Sequence, residues 1–345
     1  MGRRAHRILA WLGTPVAALI LLCGFGLWRL TQGPIDLGAL TPLIQQLVDR
    51  STGGAQVAIS RASLGIDRRT RQLDLRLEGV RVADAEGEPF ATFPDISAGF
   101  SLSSLLQGKL APTRLLIERP LLHLVRDEAG AVHLRFGEPD NRLPSLGPDI
   151  LDQLAGPPNP DRPFGLIRRI VVRSAAVIYD DRRTNRRWEA NRVDASIERN
   201  LQGLAGDVSF ALPFGSHQPE LHASYRYTSD ERAIDLSIQI GGLEPATLAS
   251  LSPELAPLAQ ADFPVSGTLA ARLNLGGLTN EGVRLDLYLG KGSIKSELLP
   301  EGYVALQQGA IRAVYAPESG ELRLAKLDLD LGGGSALRST GLLTD

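Results

Sequence analysis

Apolar and polar positions along this chain follow three patterns in turn, and each predicts a different element. Residues 8–28, from Ile8 to Trp28, form an unbroken apolar run between Arg7 and Arg29. At ~1.5 Å per helical residue the run reaches about 31 Å, enough to cross the hydrocarbon core of a bilayer. Gly33-Pro34 breaks the chain, and a short helical period follows. Thr41 as N-cap and Pro42 at N1 open it; Leu43, Ile44 and Leu47 share one side, Gln45, Asp49 and Arg50 the other, and Gly53-Gly54 stop it. From there the period is 2. Leu73-Asp74-Leu75-Arg76-Leu77 alternates cleanly, and residues 221–227, 234–240, 283–289 and 327–331 repeat the theme.

Such strands have one apolar and one wet face, the mark of an antiparallel sheet. Gly79 stands where the apolar phase shifts to Val80-Arg81-Val82, which predicts a β-bulge. Pro139, Pro144, Pro148, Pro157, Pro158, Pro160 and Pro163 make 137–163 a loop or insertion, with a short helix at 149–154. Residues 244–260 read as short helical turns interrupted by Pro253 and Pro257. No long amphipathic helix is available to cover the apolar face. The expected fold is therefore mainly β: a transmembrane helix, then an elongated, curved antiparallel sheet, with a closed β-sandwich as the alternative. The expected division is 1–31 tail and anchor, 32–54 linker helix, 55–136 a first β unit, 137–163 the insertion, and 164–345 a continuing β region cut short at its end. Within it Leu75, Leu77, Leu236, Ile238, Leu285 and Leu287 are the candidates to line the apolar face.

Charge gives the first segment a direction. Arg3, Arg4 and Arg7 precede the run, which places the tail in the cytoplasm and the bulk across the membrane. Trp11 and Trp28 sit near its two ends, where aromatic rings favour the interface. A cleaved signal peptide has a shorter apolar core and a small-x-small site; here Leu27-Trp28-Arg29-Leu30 closes the run, so an uncleaved anchor is predicted. The single cysteine, Cys23, lies inside the run, which leaves no disulfide for the exported part. Over 345 residues the net charge is −2, with basic residues scattered among acids, and no nucleic-acid footprint results. Aromatic residues make up only 5% against 43% hydrophobic, which favours a smooth aliphatic face over a dense sandwich core.

Catalytic patterns are missing. There is no nucleophile elbow, no phosphate loop and no zinc-protease helix; Gly290-Lys291-Gly292 reads as a hairpin turn. His123 and His133 flank the turn Asp127-Glu128-Ala129-Gly130 and could lie close on paired strands, but a metal would need further ligands. Asp180-Asp181 before Arg182-Arg183 and Arg186-Arg187 reads as a solvated, charged hairpin loop between 177–179 and Trp188. Gly332-Gly333-Gly334 reads as a turn. No enzyme activity, cofactor or metal is predicted.

One stretch resembles a known family. A strand at 96–102 leads to Leu105-Leu106-Gln107-Gly108-Lys109-Leu110, then Leu115-Leu116-Ile117-Glu118-Arg119-Pro120, Leu122-His123-Leu124-Val125-Arg126-Asp127, Gly130 and Val132-His133-Leu134. This order resembles the N-terminal signature of the AsmA-like family. The anchor, Gly33-Pro34-Ile35-Asp36-Leu37 and Phe263-Pro264-Val265-Ser266-Gly267 are most similar to its large YhdP-type members. The resemblance implies an inner-membrane anchor and a long β-groove in the periplasm that carries phospholipid between inner and outer membranes. Its implied partners are phospholipid, the inner membrane, and outer-membrane or periplasmic proteins. The alternative is an envelope scaffold or outer-membrane assembly factor in which the same leucines pack on one another.

Overall fold

The structure is a computed structural model that describes residues 28–30, 32–51, 56–67, 72–83, 89–100, 112–128, 132–136, 154–159, 165–211, 219–249, 253–274, 279–295, 302–317 and 319–343. The apolar run to residue 27, the 105–110 motif and most of 137–163 lie outside these residues. Among the described residues no helix is long and apolar enough to cross a membrane.

Strands dominate, as the period of 2 predicts. In chain order they are β1 (Ile35–Asp36), β2 (Gln56–Ala58), β3 (Arg61–Ile66), β4 (Leu73–Ala83), β5 (Pro89–Phe100), β6 (Pro112–Glu118), β7 (Leu121–Arg126) and β8 (Val132–Phe136). After the proline-rich stretch come β9 (Arg169–Asp181), β10 (Arg186–Arg199), β11 (Gly203–Ala211), β12 (Glu220–Thr228) and β13 (Ala233–Leu243). The last are β14 (Ala261–Asp262), β15 (Val265–Asn274), β16 (Thr279–Leu289), β17 (Gly292–Lys295), β18 (Tyr303–Leu306), β19 (Gln308–Ala316), β20 (Glu321–Gly332) and β21 (Ser335–Leu343). All but β14, β17 and β18 belong to one 18-stranded sheet. Those three form a small antiparallel sheet of their own. A four-residue helix, Pro245–Leu248, and a 3-10 helix, Pro253–Gln260, account for the predicted turns at 244–260.

The sheet is antiparallel with one exception. β9 runs parallel to β6 (Leu115↔Ile170) and then to β7 (Leu122↔Val177). β8 and β9 flank β7 on its two sides, so the connection between them must cross over to the far edge of β7, which a tight hairpin cannot do. β6 and β7 are one broken strand: Arg119 takes φ 54 and Pro120 is buried at the break. Beyond β9 the chain meanders, β9-β10-β11-β12-β13-β15-β16-β19-β20-β21, each strand paired with the next. One sheet thus continues across the 137–163 insertion.

Three local expectations change. Gly79 has φ 62, but the pairs Glu78↔Asp95 and Val80↔Phe93 stay in register. Pro94 opposite shifts phase in step, so both strands kink together and no extra residue is inserted. Thr41 is not an N-cap: the helix α1 (Thr41–Ser51) grows out of a 3-10 turn at Gly38–Leu40, and the Thr41 hydroxyl donates to the Leu37 carbonyl at 3.3 Å. Gly290-Lys291-Gly292 does not join a hairpin either. It carries the chain from β16 into the small sheet, where β17 pairs with β14 and β18.

Burial is concentrated in three clusters. Val57, Ile59, Ala62, Leu77 and Val80 form the first, with Leu37 and Ile44 packed on them from the 3-10 turn and α1. Phe263, Val265, Leu289, Leu306 and Leu329 form the second, where the small sheet covers the large one. Leu154, Ile167, Leu204 and Tyr227 form the third, where the end of the proline-rich stretch lies on the large sheet. Arg199 fastens that stretch: its guanidinium donates to the carbonyls of Leu154 (2.5 Å) and Gly165 (2.6 Å).

Candidate functional site: an apolar sheet face

Register, read strand by strand, aligns the apolar residues of the whole sheet. Residues directly opposite in a ladder point to the same face. From Ala62 the partners run Leu77, Ile96, Ile117, Val172, Ala195, Val208, Ala223, Ile238, Leu269, Leu285, Ala313 and Leu324. No polar residue interrupts this row. At about 4.8 Å per strand it extends roughly 60 Å along the sheet. A second row starts at Ile35 and passes through Leu64, Leu75, Ala98, Leu115, Ile170, Ile197, Gly206, Tyr225, Leu236, Ala271 and Val283. A third links Phe210, Leu221, Ile240, Gly267, Leu287, Ile311 and Leu327.

All six candidate residues therefore lie on one face: Leu75 and Leu236 in the second row, Leu77, Ile238 and Leu285 in the first, Leu287 in the third. Their surroundings differ. Leu77 is buried and Leu75 packs beside it in the first cluster, while Leu287 packs against the cluster under the small sheet. Leu236, Ile238 and Leu285 belong to no cluster and are half-buried. From Ile96 to Leu285 the whole first row is half-buried, where the inner face of a closed sandwich would be dry. Sequence reading missed Val172, Ala195, Val208, Ala223 and Leu269, because small or isolated apolar residues do not stand out until register aligns them.

Tyr225 brings a polar atom to the second row on this face. Its ring lies over Gly206, where an added Cβ would meet the Tyr225 hydroxyl at 2.6 Å and the Ser196 carbonyl at 1.9 Å. The hydroxyl donates to that carbonyl at 3.3 Å. Burial, with a smaller push from the Asp207 charge, raises its pKa to about 12.

The Arg199 guanidinium, two residues from Ile197 and opposite Leu204, shares the apolar face and donates to the Leu154 and Gly165 carbonyls, whereas four strand ion pairs lie on the other face. Arg272 pairs there with Asp235 at 3.1 Å and with Glu231, Arg312 with Asp286 at 3.0 Å, Arg76 with Glu118 at 3.3 Å and Arg169 with Glu198 at 3.0 Å. A cleft of about 760 Å³ opens on this polar side, lined by Arg173, Asp194, Ser196, Asp207, Ser209, His222, Ser224 and Gln239 among others. Asp74, next to Ser97 and Arg114, has its pKa raised, chiefly by burial.

The remaining candidates resolve into structure. His133 stands opposite Val125 and His123 opposite Arg135, so the two histidines are diagonal, not paired. No group of three potential metal ligands occurs among the described residues. Arg182–Asn185 form the β9–β10 turn, but Asp181 is not solvated: it is 4% exposed. Its carboxylate accepts from the Arg183 N–H (3.0 Å) and Thr184 N–H (3.3 Å) and lies 3.5 Å from Arg126. Desolvation alone would raise its pKa; these donors and that charge outweigh it and hold the group low. Behind it Tyr179 and Trp188 stack with centroids 4.7 Å apart. In comparisons with known proteins the chain matches no family model, no curated protein and no solved structure.

Proposed function

We propose that this protein is anchored in the inner membrane by residues 8–28, with its N-terminus cytoplasmic, and that its β-sheet forms part of an apolar groove for phospholipid transport between the inner and outer membranes. The observation that carries the reading is the uninterrupted first row, apolar from Ala62 to Leu324, packed at its Ala62–Leu77 end and half-buried from Ile96 to Leu285. An acyl chain laid along it removes its methylenes from water at about 0.8 kcal/mol each, so a 16-carbon chain gains roughly 10 kcal/mol. Transfer from a bilayer is nearly neutral, since both surroundings are apolar. Such a face lowers the barrier to passage and leaves direction to another component. Placement of the Arg272–Asp235, Arg312–Asp286, Arg76–Glu118 and Arg169–Glu198 pairs on the opposite face supports the reading, because a charge inside the groove would obstruct an acyl chain. Arg199, which shares the apolar side, is engaged by the Leu154 and Gly165 carbonyls and is not part of the first row. The order of motifs shared with the AsmA-like family points the same way. The protein in this reading is a conduit, not an enzyme.

The test is a charge in the open row. Leu285→Asp leaves a hydrated carboxylate on an open face, and the cost to stability should stay under about 2 kcal/mol. Lipid capture by a photoreactive residue at position 238 should be lost in the same variant. If the face were a packed core, the buried unpaired carboxylate would cost ~4 kcal/mol or more. A Leu285→Asp protein that unfolds, or a wild-type protein that never captures lipid at position 238, contradicts the proposal.

A further inference from the structure

We infer that the outward face of residues 37–46 lies in the surface of the bilayer and holds the β1–β3 end of the apolar rows against it. Among the described residues the segment is tied to the sheet through one side. The Leu37 N–H donates to the Ala62 carbonyl at 2.8 Å, and Leu37 and Ile44 pack on the first cluster. Leu40 and Leu43 point away from that cluster and are 46% and 56% exposed. This reverses the expectation that Leu43 shares its side with Ile44. Trp28, just upstream, is 58% exposed.

A second, independent feature identifies the occupant. Between Asp36 and Asp49 the sequence Leu37-Gly38-Ala39-Leu40-Thr41-Pro42-Leu43-Ile44-Gln45-Gln46-Leu47-Val48 carries no charge. A helix exposed to water ordinarily carries charges along its outer side; here the 3-10 turn and the first turns of α1 carry none, Asp49 and Arg50 coming only at its C-terminal end, and outward leucines suit the headgroup–acyl boundary. Tether length agrees, since only eleven residues lie between Trp28 and Leu40, at most about 40 Å of extended chain. Ile35, where the second row begins, lies just before the segment. A docked segment would therefore set one end of the row beside the lipid, so that an acyl chain enters without crossing water. This inference rests on residues 8–28 being a membrane anchor.

The test uses the full chain with Cys23→Ser and Leu43→Cys, labelled at position 43 with an environment-sensitive nitrobenzoxadiazole dye. The protein is reconstituted into phosphatidylethanolamine–phosphatidylglycerol vesicles. The expected result is blue-shifted emission that is lost when nitroxide-labelled phosphatidylcholine is included, while the same dye at position 239 stays water-like and unquenched. A protein that floats with the vesicles but gives water-like, unquenched emission at position 43 overturns the inference and leaves the anchor standing. A protein that does not float overturns both. Lipid capture at position 238 is a separate readout, so failure of the groove is distinguishable from either.

Discussion

Gly206 and Tyr225 show how single residues shape the apolar face. A Cβ at position 206 would collide with the Ser196 carbonyl and the Tyr225 hydroxyl. Gly206→Ala should cost about 1–3 kcal/mol by overpacking, read as a lower midpoint in denaturant unfolding. The displaced tyrosine should also titrate closer to its ordinary value. In the wild-type protein Tyr225 is held near 12, above an unfolded value of about 10. Its contribution to stability is therefore complete below pH ~10 and is lost as pH rises through about 12. Absorbance titration should resolve one such late tyrosine, and Gly206→Ala should abolish it. Asp181 has the opposite sign. Its lowered pKa adds stability above the ordinary carboxylate range, and that stability is lost as pH falls through the folded value. Asp181→Asn should remove this acid dependence from the unfolding curve while leaving the sheet formed.

At the scale of elements, the period of 2 located the strands reliably, since β12, β13, β16 and β20 all contain the alternating runs read from sequence. Partners were less legible. Nothing local to β6 or β7 says that β9 returns beside them in parallel, because that pairing depends on a connection whose path is set in three dimensions. The small sheet escaped for a similar reason: Gly290 and Gly292 look like hairpin residues, yet they carry the chain to a different sheet. Leu306, fully buried at the end of β18 in that sheet, differs from Leu285 only by context. Leu306→Ala should cost about 2–5 kcal/mol, whereas Leu285→Ala on the half-exposed row should cost much less, a contrast that thermal or denaturant melts resolve. Arg199 makes a further element-level prediction. Arg199→Met removes both donors that hold the 154–165 stretch, so amide exchange at Leu154 and Ala155 should accelerate while β11 and β12 stay protected.

For the whole molecule, the account turns on one sheet with two unlike faces. Each strand's alternation was visible in the sequence, but the alignment of those alternations into rows was not, because it requires the register of every ladder at once. The kink shared by Gly79 and Pro94 shows how closely that alignment is kept: both strands change phase together so that Leu77 and Val80 stay with the same cluster. Neighbouring strands rotate by about 20–25°, and sheets of more than about ten strands rarely stay open and flat. Curling of the apolar side would turn the rows into the walls of a groove. The most direct measurement places a photoreactive residue in turn at Ile238 and at its chain neighbour Gln239, which face opposite sides. After irradiation in cell envelopes, each protein is analysed by mass spectrometry. The account predicts phospholipid adducts at position 238 and none at position 239. Adducts at both positions, or at neither, would contradict it.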